Sequence, residues 1–135
     1  MARRAEEGWI TVTELADTLT RDRGLPFKTS HAIAAGFVAV CTARPEAPRS
    51  EVLRQVSSEV TGAGLEYTEE ELARILSARH FVAVRTTHGG PAPSVTAKAA
   101  EASREALAAD RLWLSGRLEG LRDAEQALKT AAEEL

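Results

Sequence analysis

Aromatic residues are scarce in this chain: Phe, Tyr and Trp together make up 4% of 135 residues. A core must therefore come mostly from Ala, Leu and Val, and Ala and Leu are strong helix formers. Cys41 is the only cysteine, so no intramolecular disulfide can form, as is usual in a reducing compartment. It sits in the apolar run Phe37-Val38-Ala39-Val40-Cys41 and reads as a small buried hydrophobe, not as a reactive thiol. Clustered positive charge is also lacking. The net charge is −3, which removes the electrostatic basis for binding nucleic acid. No stretch approaches the roughly 20 apolar residues of a membrane span. The start, Met1-Ala2-Arg3-Arg4-Ala5-Glu6-Glu7, lacks the apolar segment of a secretory signal. The expectation is a cytoplasmic protein without membrane or nucleic-acid partners.

What is present reads as helix. A chain this long is about one domain, here residues 1–135, with enough buried surface for a sizeable core. Thr11-Val12-Thr13-Glu14 has the spacing of a capping box. Val12, Leu15, Ala16 and Leu19 then share one helical face. Gly24 ends this first helix and Pro26 opens the next, which runs to about Thr42. Phe27, Ile33, Phe37 and Val40 supply its bulk, and Ala34 and Ala35 permit close approach. A third helix is expected from Ser50, as its cap, to about Val60. Thr68 and Glu71 repeat the capping-box spacing ahead of Leu72, Ile75 and Leu76. Residues 80–85 form either an irregular segment or a short helix. Gly89-Gly90-Pro91-Ala92-Pro93 cannot be helix interior. Gly90 in this turn is expected to need a positive φ. Ser94 then caps a long final helix reaching Glu133. Its Leu107, Leu114, Leu121 and Leu128 recur every seven residues. That stripe either covers the domain's own core, the plainer reading, or faces another chain.

Residues able to do chemistry are few. His31, His80 and His88 are the only histidines, and none has metal-ligand spacing to another His or to Cys41. His31, one turn after Phe27, reads as an ordinary helix histidine. His88, before two glycines, reads first as an exposed turn residue. Glu69, Glu70 and Glu71 open a helix, where its dipole favours negative charge without any acid–base role. There is no nucleophile elbow and no phosphate-cradling loop.

Taken in order, these segments resemble the C-terminal domain of argininosuccinate lyases in the fumarase/aspartase superfamily. The helix TVTELADTL leads into Gly24-Leu25-Pro26-Phe27-Lys28-Thr29-Ser30-His31, close to that family's Gly-x-Pro-Phe-Arg-x-Ala-His. Lys28 replaces the usual Arg, Ser30 the usual Ala, and Ala35 stands where Gly is common. Tyr67 to Leu76 resembles the family's short Thr/Ser-led helix. Arg85-Thr86-Thr87-His88-Gly89-Gly90-Pro91-Ala92-Pro93 resembles its Gly-Gly turn. The resemblance implies an all-α fold of two helix-turn-helix units plus a long C-terminal helix. It implies a role supporting an oligomeric lyase in arginine biosynthesis, which eliminates fumarate from argininosuccinate. Met1 to Gly8 would match the end of a preceding helix, suggesting a boundary there, so that the chain would be a fragment, a remnant or a split subunit.

The resemblance brings no site residue with it. The family's signature loop, Gly-Ser-Ser-x-Met-Pro-x-Lys-x-Asn, is absent: the chain has no Asn, and its one Met is Met1. Thr87-His88 lies at the Gly-Gly turn and does not correspond to the family's substrate-binding Thr-His. No catalytic, cofactor or metal residue is assigned. The expected partner is the chain itself or a lyase body lacking this domain, through the final helix. The alternatives are a stand-alone helical interaction module and, less favoured, a DNA-binding helix-turn-helix. The last suffers from a would-be recognition helix that is largely apolar apart from Lys28, where major-groove readout needs polar side chains.

Overall fold

The computed structural model describes Ala5 and residues 8–134. The expected match of Met1–Gly8 to the end of a preceding helix falls largely outside the described residues. Among them are six helices and no strand: α1 (Val12–Arg23), α2 (Phe27–Ala43), α3 (Arg49–Thr61), α4 (Glu69–Ile75), α5 (Ala78–Ala83) and α6 (Pro93–Glu133). The all-α expectation holds. Of the two readings left open for residues 80–85, a short helix forms, at Ala78–Ala83. The chain divides into two compact units, one ending at Arg85 and the other beginning at Thr86.

The first unit is two helix-turn-helix pairs packed on one core, α1 against α2 and α3 against α4, with α2 also lying along α3. Leu15 and Leu19 of α1 meet Ile33 and Phe37 of α2, and Val52, Leu53 and Val56 of α3 close the centre. Leu72, Ile75 and Leu76 fill the side next to α4, as their spacing implies. Each such fully buried side chain contributes about 1.5–3 kcal/mol. Trp9 packs edge-on against Phe37, with ring centroids 5.7 Å apart. The close approach of α2 and α3 is made at Gly36, and Ala34 is buried in the core. A Cβ at Gly36 would lie 2.7 Å from Cγ1 of Val56, and Ala35 is exposed.

Helix ends account for most of the departures from the sequence reading. Gly24 does stop α1, in the left-handed region at φ 66°. Thr11 precedes α1, but no capping box forms. The Thr11 hydroxyl instead donates 2.7 Å to the Leu76 carbonyl, tying the start of α1 to the end of α4. Phe27 begins α2 and, at 55% exposure, is not core. Val60 is also exposed. The cap of α3 is Pro48 and not Ser50. Ser50 lies inside the first turn, where its N–H donates 2.6 Å to Glu69 Oε1. Thr68 and Glu71 do form a reciprocal capping box on α4.

In the second unit, α6 starts at Pro93 with Ala92 as its cap, two residues before the expected Ser94. Proline suits the first helical position because its missing N–H has no partner there. The left-handed residue of the preceding turn is Gly89, φ 77°, and not Gly90. No residue of the 41-residue α6 is buried. Leu107, Leu114, Leu121 and Leu128 are all exposed.

Candidate functional site

Sequence reasoning missed the most strongly built polar feature, centred on Glu14. Its side chain is 2% exposed, on the apolar side of α1 next to Leu15. A buried carboxylate is costly unless paired and hydrogen-bonded, and here it is both. Arg85 donates 2.9 Å to Oε2, and Arg21 donates 3.2 Å to Oε1. Thr18 adds a longer contact at 3.4 Å, and His80 Nε2 lies 4.0 Å from Oε1. Asp17 holds the other Arg85 nitrogen at 3.5 Å. The Arg85 guanidinium also stacks on Phe81, 3.5 Å from its centroid. Among the described residues, no buried side-chain polar atom lacks a partner. Thr18 and Arg21, at four and seven residues from Glu14, were legible as neighbours on one helical face. Arg85, 71 residues away, was not.

This arrangement ties α1 to the segment after α5. The Glu14 oxygens are occupied by the two guanidinium groups and the Thr18 hydroxyl. His31 is exposed on α2, its ring 6.1 Å from that of Phe27. It lines a groove of about 310 Å³ between α1 and α2, together with Trp9, Val12, Ala16, Ala34 and Val38. That wall offers no carboxylate to orient or charge an imidazole. His88 is exposed in its turn, beside a hollow of about 610 Å³ lined largely by Thr86, Gly89, Val95 and Lys98. The structure thus scatters the three histidines over separate places. Cys41 is buried, as expected, and burial pushes its thiol pKa up, away from reactivity. Among the described residues, no three His, Cys, Asp or Glu are grouped so as to hold a metal ion.

The acidic run at 69–71 has local work. Glu69 accepts the Ser50 N–H, and that bond holds its carboxyl below the usual carboxylate range. Glu71 accepts the Thr68 N–H, with the same effect. A second clasp joins the end of α1 to the loop before α4. Arg23 donates to the Glu66 carbonyl at 3.1 Å and covers the Tyr67 ring at 4.8 Å.

The remaining large feature is the surface of α6. Leu107, Leu114, Leu118, Leu121 and Leu128 are 45–72% exposed, beside an exposed Trp113 stacked with Arg117. These side chains make an exposed apolar stripe along α6. Among the described residues, no helix is long and apolar enough to cross a membrane.

Comparison with known proteins gives a consistent result. The argininosuccinate lyase C-terminal family profile matches residues 9–83, the whole of α1 to α5. Over its full length the chain is 36% identical to 26% of the argininosuccinate lyase of Methanoculleus marisnigri. Over 76% of its length it is 40% identical to 19% of argininosuccinate lyase 2 of Agrobacterium fabrum. The chain spans about a quarter of the length of the curated relatives it matches. Among solved structures, an EDDS lyase variant with bound fumarate superposes on 99% of this chain, using 28% of its own. The TM-score is 0.82 and the identity 26%. That match takes in the long helix as well as the first unit. The chain belongs to the argininosuccinate lyase C-terminal family.

Proposed function

We propose that residues 1–135 act together as one non-catalytic domain supporting a cytoplasmic argininosuccinate lyase, the enzyme class that eliminates fumarate from argininosuccinate to give arginine. The observation that carries this is the family match across α1 to α5, extended through α6 by the superposition on EDDS lyase. The polar chemistry of the first unit supports the reading. Glu14, Arg21 and Arg85 are spent on one another, and Thr11, Thr68 and Glu71 on helix ends and joints. Elimination needs a positioned base within hydrogen-bond reach of the departing proton, and the signature loop associated with that proton abstraction is missing from the sequence. The domain's contribution is then rigid packing beneath an active site built elsewhere, with α6 as the face that associates.

The test is a fumarate assay by absorbance. The purified chain alone should give no turnover above a no-protein blank. Added to an argininosuccinate lyase body lacking its C-terminal domain, it should bind and restore activity. Turnover by the chain alone, surviving re-purification, overturns the non-catalytic assignment. Failure both to bind and to restore activity overturns the supporting role and favours a stand-alone helical interaction module. The DNA-binding alternative gains nothing from the fold: Ile33, Ala34 and Phe37 of the would-be recognition helix are core residues.

A further inference from the structure

We propose that α6 pairs antiparallel with the α6 of a second copy of this chain. The inference rests on reading α6 as the associating face, and not on any lyase activity. Most helical stability in proteins comes from packing an amphipathic face, yet none of the 41 residues of α6 is buried. At about 100° per residue, Leu107, Leu114, Leu118, Leu121 and Leu128 fall within an arc of about 80°. The ridge from Leu107 to Leu128 runs about 32 Å at 1.5 Å per residue. Trp113 and several alanines widen the apolar surface on one side.

Charge decides the occupant and its direction. In heptad spacing, Leu107, Leu114, Leu121 and Leu128 take one seam position. The alternate seam position holds Arg104, Arg111, Leu118 and Glu125. A parallel pair sets each seam residue against its own copy, so Arg104, Arg111 and Glu125 would each meet a like charge, at a cost in free energy. An antiparallel pair removes all three conflicts. Leu114 then packs on the partner's Leu118, and Leu107 lies level with the partner's Glu125. That carboxylate falls between Arg104 and Arg111, and the two-fold axis repeats the contact. The aliphatic stems of the two arginines cover the partner's Leu128 and Leu121 while their heads reach the carboxylate. On the flank, Glu101 comes within about 3 Å, two residues' rise, of the level of the partner's Lys129. These charges now pair only within their own helix, Arg104 with Glu101 and Lys129 with Glu125, each at 2.8 Å. They are free to shift at little cost, since such exposed pairs are weak.

Analytical ultracentrifugation of the full chain, with circular dichroism as the check on folding, tests the pairing. The wild type should be a dimer. Leu114→Glu with Leu118→Glu should make it monomeric. Glu125→Arg should raise the dissociation constant about tenfold, since both symmetric contacts turn repulsive. Arg104→Glu with Arg111→Glu should do the same. Combining all three charge changes should return the dissociation constant to near the wild-type value. A parallel pair predicts no loss from Glu125→Arg, because a like pair is merely exchanged for another. Loss without recovery in the triple variant, or no loss at all, overturns the antiparallel register while leaving α6 as an associating face. A wild type that stays monomeric at high concentration overturns self-pairing. If that monomer binds a truncated lyase body, the lyase is the occupant. If it does not, α6 is not an associating face.

Discussion

At the scale of single residues, the tightest constraint is Gly36. Its missing Cβ lets Val56 approach to 2.7 Å from where that atom would be, and Val56 is a short, stiff, buried side chain. Gly36→Ala should lower stability by about 1–3 kcal/mol through overpacking. Adding Val56→Ala should recover part of the loss despite the cavity it opens. Urea unfolding of the single and double variants checks this; additive losses would show that the two positions do not touch. Arg85 is the second such residue. Arg85→Met leaves the buried Glu14 with Arg21 as its remaining direct ion pair, and should cost about 1–3 kcal/mol. Thermal melts would detect it, and Lys28→Met, at an exposed position on α2, is the near-neutral control.

Glu69 carries a pH dependence of known sign. Its folded-state pKa is depressed, chiefly by the Ser50 N–H. It therefore contributes stability above the usual carboxylate pKa, lost as pH falls through the lower, folded-state value. Glu69→Gln should be destabilised relative to wild type at neutral pH, and the difference should shrink in acid. A gap that widens in acid would contradict the bond.

At the scale of elements, the turn into α6 turns on one backbone angle. Gly89 sits at φ 77° and Gly90 does not have a positive φ. Gly89→Val should cost about 1–3 kcal/mol, whereas Gly90→Ala should be mild. The two effects, read by hydrogen exchange of the first turn of α6, would reverse if the left-handed residue were Gly90. The helix starts show the same lesson. Thr68–Glu71 and Thr11–Glu14 have one spacing, yet only the first pair forms a capping box. Spacing makes a cap available, but Thr11 and Glu14 have better partners in Leu76 and the two arginines.

At the scale of the whole molecule, the chain combines a first unit with a filled core and a long helix with none. In the pairing proposed above, the stability of the 41-residue α6 is coupled to association with a second copy. Dilution should therefore lower the helix signal of α6 before that of α1 to α5. Circular dichroism across a concentration series would show it, and concentration-independent melting would argue against it. Among the described residues of the first unit, the charged side chains Glu14, Arg21 and Arg85 are engaged with one another, which fits the supporting role proposed above.

The sequence by itself determined the helical class, the stop at Gly24, the capping box at Thr68 and the family. Each of these is a local signal, set by periodicity, by a residue's backbone freedom or by motif order. Tertiary structure decided what Glu14, Phe27, Gly36 and the α6 leucines do. Glu14 is a cap until Arg85 arrives from 71 residues away, and Phe27 has core chemistry at a position with no core beside it. The leucines make a stripe whose occupant depends on what the rest of the chain leaves uncovered. Spacing along one element cannot carry that information, because burial and charge pairing are properties of the elements brought against it.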